Sequence, residues 1–194
     1  MNKRIHALGA AVFLLAASAS GETGVKVGLQ AGVALTNLNP PSGVSASNIA
    51  GFTGGIAVDV PMNENLSLRP EALFTQRGST IVEGGSGNVT ARVNALDVPI
   101  FLRINFGEGI RANIFGGPNF TFNLSNSLVA EAGGNAGAVT FDPKTVDFGV
   151  AFGAGVDLGP VFVNLRYMLG LLNVSNTGAS WESRGFLLLA GIHL

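Results

Sequence analysis

The sequence predicts an all-β protein, an eight-stranded antiparallel up-and-down transmembrane β-barrel with a polar interior filled by side chains. Three observations support this prediction. The N-terminus resembles an export signal, apolar and polar residues alternate along most of the chain, and the charges keep to one face of each predicted strand. Charged residues make up 12% of the chain, which is about half the usual share for a soluble domain.

The N-terminus is predicted to be a secretory signal peptide. A basic start is followed by an apolar run, 10–17, that is too short to span a bilayer as a helix, and then by an A-x-A cleavage motif. The predicted domains are a signal peptide cleaved near Ala19 and Ser20, residues 1–20, and one outer-membrane barrel domain, residues 21–194.

Composition excludes several classes of function. The chain has no cysteine, so it can form neither a disulfide nor a thiolate metal site. Its net charge is −1, which offers no basic surface for nucleic acid. After residue 21 no apolar run reaches the roughly 18 residues of a transmembrane helix. An exported, apolar chain of this kind is typical of a barrel whose strands cross the membrane.

Eight segments alternate with a period of two, which predicts strands. Each is long enough for a tilted membrane-spanning strand, which needs about 9–11 residues. Three short connections (61–65, 105–109 and 159–160) alternate with four longer ones (37–48, 78–94, 123–144 and 170–184), as periplasmic turns alternate with external loops. The segments are 25–36, 51–60, 66–77, 95–104, 110–122, 145–158, 161–169 and 185–194.

The charges within these segments predict which face meets lipid. All of them lie opposite the Val, Leu, Ile and Phe face, and a charge facing the middle of the bilayer costs about 2–4 kcal/mol in a barrel. A soluble barrel of the lipocalin type is the alternative, but its outer face would carry more charges than these strands have. The charged residues are Lys26, Asp59, Arg69, Glu71, Arg77, Asp97, Arg103, Arg111, Asp147, Asp157 and Arg166.

Several segments resemble the outer-membrane β-barrel domain of the PorT-like family. The resemblance covers most of residues 24–194, and its most distinctive part is the Asp-Val-Pro strand in 96–103 (LDVPIFLR). It also includes 68–74 (LRPEALF), 147–156 (DFGVAFGAGV), and Tyr167 with 170–173 (GLLN). The resemblance implies an outer-membrane barrel without implying one biochemical activity. The chain differs from barrels of this kind in ending on Leu194 instead of an aromatic residue.

Three functions are compared. A barrel enzyme is disfavoured, because the predicted mature chain has a single histidine, His193, with no nucleophile fixed beside it. A small transport channel is the main alternative, but eight strands leave room only for side chains. A structural or surface-interaction scaffold with external loops as binding elements is favoured. Trp181 in the last loop is either a membrane anchor or a ligand contact. The residues expected to plug the lumen are Leu73, Phe101, Phe115, Phe162 and Met168.

The expected location is the outer membrane of a Gram-negative bacterium, and the expected state is a monomer. The expected partners are outer-membrane lipid, the barrel-assembly machinery and an unidentified ligand of the external loops. No nucleic acid, cofactor or metal is expected, and no residue is assigned to catalysis.

The inward charges are predicted to form a salt-bridge network, because buried charges persist only when they are paired. The short turn at 105–109 is expected to set Arg103 almost directly opposite Arg111, with Glu71, Asp157 and Asp59 supplying the carboxylates. The predicted network contains Lys26, Asp59, Arg69, Glu71, Asp97, Arg103, Arg111, Asp147, Asp157 and Arg166.

Overall fold

The computed structural model describes residues 24–39, 46–83, 87–132, 135–139, 146–171 and 182–194. No helix among them is long and apolar enough to cross a membrane. The predicted signal peptide, the predicted anchor Trp181 and several loop tips lie outside the described residues. The strands are β1 (Lys26–Asn39), β2 (Ala46–Pro61), β3 (Leu66–Glu83), β4 (Gly87–Phe106), β5 (Ile110–Ala132), β6 (Asn135–Val139), β7 (Val146–Leu158), β8 (Val161–Gly170) and β9 (Glu182–His193).

Eight of these strands close into a barrel. Strands β1 to β5 pair antiparallel in chain order, β5 then pairs with β7, and β7, β8 and β9 follow until β9 pairs with β1. The closed ring gives every strand in it two partners, which removes the exposed edges of an open sheet. The predicted eight-stranded up-and-down barrel is confirmed. β6 lies outside the ring and pairs with the far end of β5.

The two ends of the barrel differ. The short connections 62–65, 107–109 and 159–160 lie at one end, where Leu194 also donates a backbone hydrogen bond to Val27. We call this the turn end, and we call the opposite end, towards which β3, β4 and β5 extend, the loop end. The first strand of the barrel therefore begins, and the last strand ends, at the turn end.

The outer face is apolar and the inner face is buried, as the alternation predicts. Along β1, Leu29 and Val33 are 47% and 51% exposed, whereas Gln30 and Ala34 are 5% and 0% exposed. The same alternation continues on β9, where Leu188 is exposed between buried Leu187 and Leu189. An apolar surface of this kind needs a lipid environment.

The strands are longer at the loop end than the sequence predicts. β3 continues to Glu83 and β4 begins at Gly87, within the predicted loop 78–94. β5 continues to Ala132 and forms a hairpin with β6 inside the predicted loop 123–144. These extensions lack the strict apolar alternation, because a strand beyond the bilayer need not present an apolar face. Backbone pairing and polar contacts support them instead, such as the 3.2 Å hydroxyl contact between Thr80 and Thr90.

The register of the β4–β5 hairpin also differs from the prediction. β4 continues to Phe106, which pairs with Ala112, and so Arg103 lies opposite Phe115 and not opposite Arg111. The residues between these last β4–β5 partners are 107–111, two positions later than the predicted turn, and they include Gly107 and Gly109 with φ values of 87° and 78°, which favour glycine. The expected direct opposition of two arginines was therefore wrong.

A charge on the outer face tests the assignment of the lipid surface. Ile100→Arg, near the middle of the part of β4 predicted to span the membrane (95–104), is expected to lower the free energy of unfolding in lipid vesicles by about 2–4 kcal/mol, because the guanidinium would face the bilayer core. Met62→Arg, in an exposed turn at 61% exposure, is the matched control and should cost little. Urea titration followed by gel mobility of unboiled samples measures both. Equal losses at the two positions would contradict the assignment.

Candidate functional site

The lumen is filled by side chains in three layers. At the turn end lies a chain of alternating arginines and carboxylates, which we call the ion-pair chain. A buried apolar layer follows, and a polar layer lies nearest the loop end. The ion-pair chain consists of Arg166, Glu71, Arg69, Asp59, Arg103 and Asp157. The apolar layer consists of Ala34, Leu73, Phe101, Phe115, Ala151, Met168, Leu187 and Leu189.

Glu71 on β3 binds two arginines from opposite walls of the barrel. Nε of Arg69 donates to Oε1 of Glu71 at 2.8 Å, and Nη1 of Arg166 donates to Oε2 at 2.6 Å. Nη2 of Arg166 also donates to Oε1 at 3.2 Å, so this contact is bidentate. Because β3 and β8 are not neighbours in the ring, the pair Arg166–Glu71 crosses the lumen. Bidentate arginine–carboxylate contacts are among the stronger and more directional hydrogen bonds in proteins.

Asp59 on β2 continues the chain towards the turn end. Nη1 of Arg69 donates to Oδ2 of Asp59 at 2.7 Å, and Nη1 of Arg103 donates to Oδ1 at 3.1 Å. Nη2 of Arg103 then reaches Asp157 on β7, with both carboxylate oxygens at 2.6 Å. Asp59 thus joins β3 to β4, and Arg103 extends the connection to β7.

The ion-pair chain is deeply buried and electrically balanced. Arg69, Glu71 and Arg166 are each at most 2% exposed. The ion-pair chain contains three guanidinium groups and three carboxylates, so the formal charge of this group of side chains is zero. Burying a charge in an apolar environment is tolerable only when it is paired and hydrogen-bonded. The alternation of sign along the chain therefore permits these residues to occupy the lumen.

Aromatic rings pack against two of the three arginines of the ion-pair chain, Arg69 and Arg166. The guanidinium carbon of Arg69 lies 4.5 Å from the centre of the Phe162 ring. That of Arg166 lies 5.0 Å from the ring of Phe101 and 5.5 Å from that of Phe115. A guanidinium over an aromatic face is attracted by the ring quadrupole. The contacts of Arg166 with Phe101 and Phe115 connect the ion-pair chain with the apolar layer.

The loop-end layer is built around Asp97 on β4, which is fully buried. Nη2 of Arg77 donates to its Oδ1, and the Thr121 hydroxyl donates to the same oxygen at 2.7 Å. Nδ2 of Asn119 donates to Thr121 Oγ1 at 3.0 Å. Asp147 is buried at this level on β7, opposite Thr121 in the sheet. This second group of charges is separated from the ion-pair chain by the apolar layer.

Not all of the predicted network residues come together. Arg111 forms no ion pair among the described residues, and its Nη2 donates to the backbone oxygen of Glu64 at 2.8 Å. Lys26 is exposed at the turn end and likewise has no ion pair within the described part of the chain. The expected centre on Arg103 and Arg111 was therefore wrong for Arg111, because the hairpin register places Arg111 nearer the rim. Glu71 was expected to serve Arg103 and instead binds Arg69 and Arg166.

Sequence reasoning missed three features of the lumen. Arg77 was not included in the predicted network, although it is the partner of Asp97. The polar contacts of Asn119 and Thr121 with that carboxylate were not foreseen, although both have the inward parity of β5. The stacking of arginines on Phe162 was also missed. Parity gives the face of a residue, but it does not give its partner across the lumen.

The described lumen residues were also compared with the requirements of a metal site. No group of three His, Cys, Asp or Glu side chains suited to a metal occurs among the described residues. His193 contacts Phe162, with ring centres 4.7 Å apart, and its Nδ1 lies 3.9 Å from Asp59 Oδ2. This histidine therefore borders the ion-pair chain at the turn end. The geometry is suited to bracing the barrel wall and filling the lumen.

Known proteins of similar fold are small barrels of the outer membrane. OprG from Pseudomonas aeruginosa superposes with a TM-score of 0.54 at 12% identity, covering 90% of this chain and 98% of that one. Ail, the attachment invasion locus protein of Yersinia pestis, gives 0.51 at 13% identity, with 87% and 98% covered. Neisserial surface protein A gives 0.51 at 14% identity, with the same coverage. At these identities the similarity shows the fold alone.

The sequence itself shows the family. No curated protein matches it significantly. Residues 16–176, however, match the family described as "Outer membrane protein beta-barrel domain". This match spans most of the chain, and it agrees with the closed eight-stranded ring and the apolar outer face. The chain therefore belongs to the outer membrane protein β-barrel domain family.

Proposed function

We propose that the protein is a non-enzymatic scaffold of the outer membrane, with a closed lumen and external loops that bind a partner. The observation that carries this proposal is the filled lumen. Phe101 is fully buried in the apolar layer, and Arg69 and Arg166 are almost fully buried in the ion-pair chain below it. A barrel closed in this way is suited to holding loops at the surface, and loops on a rigid scaffold commonly carry binding functions.

Several further assignments belong to the same proposal. We infer that the chain is a member of the PorT-like branch, on the strength of its Asp97-Val98-Pro99 strand, and that a signal peptide, 1–20, exports it. We also infer that it lies in the outer membrane of a Gram-negative bacterium as a monomer, and that the barrel-assembly machinery inserts it. The names of two barrels of similar fold, the attachment invasion locus protein Ail and Neisserial surface protein A, support a role at the cell surface for this chain.

The proposal is tested by cross-linking on intact cells that display the protein. Wild type is compared with a variant in which 40–45, between β1 and β2, and 172–181, between β8 and β9, are replaced by Gly-Ser linkers of equal length. We expect a captured partner that is lost in the variant, because the loops carry binding. A variant with Glu64→Gln in the opposite turn is the control and should capture normally. Capture that survives replacement of the loops would contradict the proposal, as would passage of small solutes through reconstituted wild type.

A further inference from the structure

A cavity lies at the turn end, between the ion-pair chain and the rim of the barrel. Its volume is about 120 Å³, roughly the liquid volume of four water molecules at about 30 Å³ each. It is therefore large enough for a group of a few heavy atoms. The charged residues that line it are Lys26, Asp59, Glu64, Arg103, Arg111 and Asp157.

Three of these charges already satisfy one another. Arg103 donates to Asp59 at 3.1 Å and to Asp157 at 2.6 Å, within the neutral ion-pair chain. Lys26 and Arg111 remain, and neither forms an ion pair among the described residues. They project from β1 and β5, on different sides of the ring. One carboxylate of the lining, that of Glu64 in the exposed turn, also lies outside the ion-pair chain, so the cavity has a net excess of one cation.

Arg111 has donors to offer a ligand. A guanidinium carries five N–H donors, and the structure records one hydrogen bond for it, from Nη2 to the Glu64 carbonyl. Its Nε is buried and meets no acceptor within the described part of the chain. A buried donor without an acceptor is unfavourable, so an acceptor supplied by a ligand would stabilise this end of the barrel.

We propose that this cavity binds a small oxyanion, a phosphate or carboxylate group, between Lys26 and Arg111. A guanidinium suits either group because its donors match two oxygens at once, and the ammonium of Lys26 adds a mobile point charge. The two carboxylates of the ion-pair chain that line the cavity are already bound by two arginines, since Arg103 binds both of them and Arg69 also binds Asp59. This site is distinct from the external loops, so it does not depend on the proposed function.

The test uses the folded, ¹⁵N-labelled full barrel in detergent micelles. Inorganic phosphate, and acetate in a separate titration, are added at constant ionic strength against sodium chloride. We expect a saturable shift of the Arg111 Nε–Hε resonance with at least one of the two anions. Lys26→Gln should weaken that affinity by about tenfold, since a hydrogen bond to a charged group contributes about that factor. Binding of phosphate alone would identify a phosphate group, and binding of both anions would identify a general oxyanion site.

Two further variants keep the test decisive. Arg111→Gln should also weaken binding by about tenfold, now followed at the backbone amide of Lys26. Arg92→Gln, an exposed arginine on β4 at the loop end, should leave the affinity unchanged. Gel mobility of unboiled samples shows whether each variant is folded. If Arg111→Gln does not fold, Lys26→Gln still tests the site, because Lys26 is exposed. The proposal is overturned if the shifts never saturate, or if Lys26→Gln and Arg92→Gln bind equally well.

Discussion

Glu71→Gln is expected to lower the free energy of unfolding of the barrel by about 3–5 kcal/mol. The carboxylate of Glu71 is the partner of Arg166, which has no other ion pair among the described residues. Its loss would leave that guanidinium charged and buried at 1% exposure. Arg69 would be affected less, because Asp59 still accepts from it at 2.7 Å. Urea titration in lipid vesicles measures the loss.

Two comparisons show whether the loss comes from the stranded charge. Glu64→Gln makes the same chemical change in an exposed turn and should cost almost nothing. The double variant Glu71→Gln, Arg166→Met removes the cation together with its partner, and it should recover most of the stability. If the double variant is as unstable as the sum of the two single ones, the pairing does not stabilise the barrel as described.

Phe101→Ala should also cost about 3–5 kcal/mol, because it removes a fully buried ring from the apolar layer. The centre of that ring lies 4.9 Å from the centre of the Phe115 ring and 5.0 Å from the guanidinium carbon of Arg166. The substitution would therefore create a cavity and uncover one side of a buried cation. Thermal unfolding in micelles, scored by gel mobility, provides the measurement.

Phe52→Ala is the matched control for Phe101→Ala. Phe52 is 53% exposed on the outer face, where lipid can replace the lost ring. It should lose distinctly less stability than the inward variant. Comparable losses at the two positions would mean that the ring of Phe101 is packed no more tightly inside the barrel than the ring of Phe52 is against lipid. That result would contradict the filled lumen.

The fold was predictable from sequence because two signals agreed over most of the chain. Alternation placed residues such as Leu29 and Gln30 on opposite faces, and the charges fell on the face that the structure buries. A one-residue error would have moved an entire strand to the wrong face, so parity is strongly determined. The extensions beyond the bilayer were missed because no apolar face marks them, as at Thr80 and Thr90.

The lumen was predictable only in part. The inward position of Arg103 follows from parity, but its partners depend on the register and on distances across the barrel. The turn that contains Gly107 and Gly109 lies two residues later than predicted, which changes the register and places Arg111 at the rim. Arg166, the partner of Glu71 on the opposite wall, is 95 residues away in the sequence. The spacing of neighbouring residues along a strand does not indicate a contact over that separation.

The central claim is that this barrel is closed by its own side chains, and single-channel recording in planar lipid bilayers tests it most directly. Purified protein is first shown to be folded by its gel mobility without boiling, and is then inserted under an applied voltage. We predict no stable opening, because the ion-pair chain and the apolar layer fill the lumen at successive levels. Stable, reproducible openings of the size seen with porins would contradict the closed lumen and the scaffold function built on it.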